Sequence, residues 1–508
     1  MVAKMGPSLL ESIKVLFYSS AILGVVPYSL SEFYYRHVLR ISVLGNIWVL
    51  LCIISFTVNY HLATDSYGGV GGGGQGTLTN AIGIFIIYME PLMMVIDMLA
   101  AIINQKRMIN CVDRLDKLDL KLSGENITVD NGRLWRYVLS LLVLVLAFES
   151  VLTTYNFVIF TDILTLQSLM WFITAIPTAI NSISRIWFLV LVQSVRHRFY
   201  VMNNHMDELA GLLEEHNERW EDELEIEKND IPMNFLEKEI FTIRNHRKGN
   251  VVQPIMPPLK PYGNHPGKII SVKPYEKRMS DEKVLAKKRA LFDFLAFDKY
   301  MKIDEKLDKK MILICRTHDE LCEIGKSINY MFSFQMLVSM AHGFMAITAQ
   351  FYFLYCALSR QEVPILFRSA TVVQISIILI LYIAMKCCIC IYVCWKTKTE
   401  SQRTGVFMHH LANMVDETHF YQIVNHLSLK LLNHQLNFSA CGFFDLDMTT
   451  LYAITGAITS YLIILIQFNL AALQKAGNTT EIANVTSTTM APLLNLSTTA
   501  LSTYVANP

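Results

Sequence analysis

Six ionisable side chains stand inside otherwise apolar stretches: Glu90, Asp97, Glu149, Arg185, His342 and Lys386. Charge in hydrocarbon is costly unless it is paired or faces water, so groups of this kind lock helices together, relay protons or gate a path. Counted from the inner ends of their stretches, Asp97, Arg185 and Lys386 fall at similar depths, and Glu149 supplies a further carboxylate. The spacing predicts a buried carboxylate–cation cluster, acting either as a structural lock or in gating or proton coupling. Covalent chemistry has no comparable support. There is no GxSxG, HExxH, P-loop or DFG pattern and no nucleophile set beside a base, so an enzyme is not expected.

Two uncharged sets carry binding chemistry instead. Tyr155, Asn156, Gln167, Trp171, Thr174, Gln350, Tyr352, Tyr355 and Gln374 lie in the outer halves of the same stretches. Hydroxyls and amides among aromatic faces suit a neutral polyhydroxylated or alkaloid-like ligand. An interfacial aromatic belt produces the same composition. In the last apolar stretch, helical spacing puts Ser460, Ile464 and Gln467 on one stripe and Tyr461 and Phe468 on the next, with Gly456 and Thr449 extending the first stripe inward. Such a stripe either packs against other helices or lines a narrow, weakly selective pore, since the charged rings of a strong filter are absent.

Metal chemistry is not indicated. His409, His410, His419, His426 and His434 share one segment, but no cysteine or carboxylate completes a zinc ligand set, and no cofactor is implied. Cys387, Cys388, Cys390 and Cys394 read as packing residues, with palmitoylation near the inner boundary as the alternative. The ten cysteines show no disulfide framework, and no cleaved signal peptide is expected.

The elements that position these residues are membrane helices. The 508 residues are 53% hydrophobic and only 17% charged. Soluble domains run nearer about 45–50% and about 25%. A net charge of +1 without a basic stripe argues against nucleic acid as a partner. Seven stretches of bilayer length follow one another at 39–62, 80–104, 135–160, 165–194, 328–356, 369–395 and 449–473. Residues 8–30, broken by Glu11, Lys14 and Pro27, predict an interfacial helix rather than a span.

Lysine and arginine crowd alternate loops, which predicts a cytosolic N-terminus and an outer C-terminus, the reverse of a G-protein-coupled receptor. The expected organisation is therefore an all-α membrane protein. It has a cytosolic N-terminus (1–38), spans one to four (39–194) and a cytosolic loop with helical extensions (195–327). Spans five and six (328–395), cytosolic helices (396–448), span seven (449–473) and an outer tail (474–508) complete it. Within the loop, the proline-rich stretch at about 246–280 cannot bury enough apolar surface to fold and is expected to be disordered. The tail holds glycosylation sequons at Asn478, Asn484 and Asn495.

Against this background the closing segment resembles the insect gustatory receptor family, whose signature is Thr-Tyr, five apolar residues and Gln-Phe. Here it stands as Ser460-Tyr461-LIILI-Gln467-Phe468, with the serine keeping the hydroxyl. The likeness extends upstream through Thr404-Gly405, His409-His410-Leu411, the Leu427–Leu432 run and Phe438-Ser439-Ala440-Cys441-Gly442-Phe443-Phe444. The resemblance implies a multi-pass plasma-membrane chemoreceptor: a homotetrameric, ligand-gated, non-selective cation channel. Its seventh spans would surround a central pore, its inner helices would form a cytosolic anchor, and monovalent and divalent cations would permeate. It places Gln467 and Phe468 at the outer gate, Tyr461 in support, and the ligand pocket in the outer half of each subunit.

Leu462 stands where the main sugar clade carries an acidic residue, so the segment looks closer to fructose-type receptors and their bitter-type neighbours. The expectation from sequence leans to a sugar such as fructose over a bitter or noxious compound. An obligate heteromeric subunit is the alternative within the family. A secondary transporter using Asp97, Glu149 and Lys386 is the alternative outside it.

Overall fold

The computed structural model describes residues 8–66, 78–125, 127–160, 172–173, 175–229, 275–359, 372–414, 435–471 and 474. Eleven helices can be assigned among them: α1 (Leu9–Ser12), α2 (Lys14–Ile22), α3 (Leu30–Arg36), α4 (Val43–Ser66), α5 (Leu78–Ile103), α6 (Gln105–Gly124), α7 (Asn131–Phe160), α8 (Ala175–Asn229), α9 (Tyr275–Leu358), α10 (Val372–Met414) and α11 (Met448–Ala471). Seven of them, α4, α5, α7, α8, α9, α10 and α11, are long and apolar enough to cross a bilayer. The expected insert at 246–280 falls outside the described residues up to 274, but α9 is already helical from Tyr275. Gln167, Trp171, Thr174, the three sequon asparagines, His419, His426 and His434 also fall outside them. The side chain of Asn156 does too.

The interfacial segment differs from expectation. It forms two short helices: Ser8 and Glu11 close a capping box that starts α1, and the backbone leaves helical geometry at Ile13 before α2 begins. Its apolar side is covered by protein: Leu9, Leu16 and Phe17 are buried, and the rings of Phe17 and Phe33 stack at 3.7 Å. Ser12 Oγ donates to the Asn131 carbonyl at 3.0 Å, and Trp187 Nε1 donates to Ser20 Oγ at 2.8 Å. Gly45 lets α4 rest on the Pro27 backbone, where a Cβ would sit 2.9 Å from the proline carbonyl.

Pro91 lies inside α5. Having no N–H, it leaves the carbonyl of Ile87, four residues back, without its helical donor. The Tyr60 hydroxyl of α4 supplies one at 2.8 Å. One turn away, His61 Nδ1 meets the Tyr88 hydroxyl at 2.9 Å, so the pair α4–α5 is fastened where α5 is weakest.

The described parts of the chain divide into two compact units. One comprises Met1–His197, Glu323–Thr399 and Leu436–Pro508; the other Arg198–Cys322 and Glu400–Gln435. The second is tied by a buried polar network. Asn203 Nδ2 donates to the Glu400 carbonyl at 2.9 Å and to its Oε1 at 3.0 Å, while Thr404 Oγ1 donates to Asn203 Oδ1 at 2.8 Å. Ser401 Oγ lies 3.2 Å from His318 Nε2, whose ring packs on Phe199.

Candidate functional site

In the first unit, α5, α7, α8, α9 and α10 enclose a cavity of about 180 Å³. Its wall is unusually polar for a membrane interior, with Glu90, Glu149, Thr153, Thr178, Arg185, Ser339, His342, Tyr382 and Lys386 all contributing. Glu149 of α7 is the hub. Its Oε1 accepts from Lys386 Nζ at 3.1 Å, from the Tyr382 hydroxyl at 2.5 Å and from the Ser182 hydroxyl. Tyr382 and Lys386 sit four apart on α10 and so present one face to Glu149. The ammonium also donates to Ser182 Oγ at 2.8 Å and stands 4.3 Å from the Tyr382 ring centroid. Three helices therefore share one carboxylate oxygen.

A second knot joins α5, α8 and α9. Asn181 Nδ2 donates to Glu90 Oε2 at 2.9 Å and to the Glu90 carbonyl at 3.1 Å, and His342 Nε2 lies 3.6 Å from Glu90 Oε1. Arg185 of α8 donates to the Asn181 carbonyl at 3.1 Å and to Ser339 Oγ at 2.8 Å. Asp97 and Arg185 line a common smaller cleft, and Gln335 Nε2 bonds the Asp97 carbonyl at 3.3 Å.

Of the four residues expected to cluster, the structure joins Glu149 to Lys386. Among the described residues, Arg185 makes no carboxylate contact within 4.0 Å and Asp97 no ion pair. Depth counted from a span end fixes a residue's height but not its direction around the helix, and direction decides the partner. Glu90 and His342, ionisable groups of the same spans, complete the arrangement. Ser182 and Tyr382 were missed; both lie one helical turn from a charged residue, Arg185 and Lys386, a spacing that would have flagged them.

The described members of the expected ligand set fall into separate groups. Tyr155 reaches Gln374 across α7 and α10 at 3.5 Å. Tyr352, fully buried, belongs instead to an apolar cluster with Ala349, Phe353 and Cys356, against which Tyr355, Ile82, Ile86, Leu462 and Leu465 pack. Gln350 is buried as well. None of the described members lines the 180 Å³ cavity.

Helix α11 is set in place by the turn before it. Strands β1 (Ser439–Ala440) and β2 (Phe444–Asp445) pair around Cys441 and Gly442, both at positive φ, where glycine is favoured. Asn329 of α9 holds Ser439 through its backbone N–H at 3.0 Å. Asp447 then caps α11, its Oδ1 accepting from the Thr449 and Thr450 amides at 3.1 and 3.2 Å. The bond from the Thr449 hydroxyl, with those from the amides, holds the Asp447 carboxyl below the usual carboxylate range. A depressed folded value means the cap is whole above the ordinary carboxylate range and is lost as acid protonates it. Asp447→Ala should cost about 0.5–2 kcal/mol at neutral pH and speed hydrogen exchange at Thr449 and Thr450, with the difference from wild type vanishing in strong acid.

Along α11, Leu462 and Leu465 face the cluster around Tyr352, and Tyr461 meets the Phe344 ring edge-on at 5.6 Å. The opposite stripe is left open by the described residues. Ser460, Ile464 and Gln467 are exposed, as are Tyr461 and Phe468, and none of the span is buried. A Cβ at Gly456 would touch nothing.

A family model of the 7tm chemosensory receptors matches residues 13–228 and 296–472. This chain belongs to that family. The receptor is 37% identical over 488 residues, 92% of its own length and 90% of the relative's, to the Drosophila melanogaster gustatory receptor for bitter taste 66a. It is 29% identical over 153 residues to putative gustatory receptor 28b of the same organism, 30% of this chain and 32% of that one. Among solved structures it is similar to the insect olfactory receptor OR5 from Machilis hrabei, with a TM-score of 0.52, 12% identity, and coverage of 90% of this chain and 97% of that one. The same receptor in complex with eugenol matches equally well, at 10% identity. These findings identify a multi-pass membrane chemoreceptor with the fold of that structure. The lean to a sugar finds no support in these relatives. Leu462 argues against one clade without selecting among the others.

Proposed function

We propose that this receptor is a bitter-type gustatory receptor that opens a non-selective cation path when a small molecule binds. Its place is the plasma membrane, with the N-terminus cytosolic as the loop charges indicate. The observation that carries the channel reading is the open stripe of α11. A span whose Ser460, Ile464 and Gln467 stripe is left exposed by the described parts of its own chain offers polar groups that other subunits would cover better than lipid. Four copies arranged around these stripes give a central, uncharged pore. The ligand class follows from likeness along nearly the whole chain to a receptor named for bitter taste. The polar cavity, separate from α11, is the place for the ligand.

Whole-cell recording from cells expressing this chain alone tests the reading. Bitter compounds should evoke currents reversing near zero with mixed cations, and fructose should evoke none. Currents to fructose alone would return the sugar assignment. Silence rescued by a second family member would make the chain an obligate heteromeric subunit.

A further inference from the structure

The cavity wall has hydrogen-bond acceptors to spare. All three donors to Glu149 converge on Oε1, while Oε2 is buried and has no hydrogen-bond partner. The side chain is about nine-tenths buried, so that oxygen has lost its water as well. On the neighbouring wall, Glu90 Oε2 is held by Asn181, but Oε1 faces only His342, at 3.6 Å. Among the described residues no lysine or arginine comes within 4.0 Å of Glu90. The two cations of the wall have other commitments: Lys386 to Glu149 and Ser182, Arg185 to Asn181 and Ser339.

A buried acceptor left without a donor is destabilising, and more so when charged. A neutral hydroxyl offers a single hydrogen bond and no charge, and an anion is repelled by both carboxylates. An ammonium brings up to three N–H donors and a compensating charge. The space sets the size: an engineered apolar cavity of about 150 Å³ takes benzene, so this one accepts a ring with a short substituent.

We propose that this cavity binds a small protonated amine, its ammonium placed between Glu149 and Glu90 and its apolar body against Leu152, Leu379 and Ile383. The proposal rests on the reading of the chain as a small-molecule receptor and names the ligand class. Selectivity for a donor-rich guest arises because the N–H groups of Lys386 and Arg185 are directed to Glu149 Oε1, Ser182, Asn181 and Ser339, leaving Glu149 Oε2 and Glu90 Oε1 to the guest.

The test is equilibrium binding to the purified full-length receptor, with benzylamine and benzyl alcohol as probes of equal size. Benzylamine should bind at least about tenfold more tightly, a difference of about 1.4 kcal/mol. Both Glu149→Gln and Glu90→Gln should bring the ratio close to one. Equal affinity of the two probes for wild type, or a preference that survives in both variants, would overturn the proposal. Should Glu149→Gln not fold, Glu90→Gln decides alone, since it leaves the Lys386 contact intact. Binding is read without current. A receptor that prefers the amine yet never conducts overturns the channel reading only, and one that conducts to bitter compounds with no amine preference overturns this inference only.

Discussion

Lys386→Met should lower the stability of the folded receptor by about 3–5 kcal/mol, the usual consequence of removing one partner from a buried ion pair. The reason lies in what remains. Glu149 would keep its bonds from Ser182 and Tyr382 but stand as an uncompensated charge among apolar helices. The thermal midpoint in detergent and the surface population should fall together. The double variant Glu149→Gln/Lys386→Met should recover most of the loss, because a neutral amide still accepts from both hydroxyls. A single variant that melts like wild type would show that the pair contributes little. Recovery of stability without recovery of ligand response would separate the structural part of Glu149 from its part in binding.

The second large effect is expected at Gln467. Replacing it by alanine removes the one amide on the open stripe of α11 at a position exposed among the described residues. Surface expression and the thermal midpoint should stay within about 0.5 kcal/mol of wild type, as for a substitution away from packed features. Basal current or relative cation permeability should change several-fold. Phe468→Ala, at a site 64% exposed, should behave alike. Normal currents from both variants at normal expression would remove this end of α11 from the permeation path.

Much of this organisation was legible in the sequence because it rests on length and charge. Each of the seven stretches overlaps a helix, since bilayer thickness dictates about twenty apolar residues whatever the neighbours do. The seventh-span stripe was legible too, because a single helical period puts Ser460, Ile464 and Gln467 together. Less legible was which partner a residue meets as the helices turn toward each other, although Glu149 and Lys386 do pair. Tyr352 looked like a pocket residue by composition and is core by direction. Arg185 had the right depth for a carboxylate and spends its donors on Asn181 and Ser339. Thr404 illustrates the middle ground. It belongs to a recognisable motif, and its reason appears only in the fold, where it closes the network around Asn203 and Glu400.

The bareness of α11 also bears on how much receptor a membrane must hold. A helix that packs on the described parts of its own chain through one side only, at Leu462, Leu465 and Tyr461, draws limited free energy from intramolecular packing. Whatever covers it acts as a ligand would, stabilising the seated form in proportion to the logarithm of partner concentration. If other copies of the chain cover that stripe, the fraction of receptors with a fully seated last helix rises with their density in the membrane.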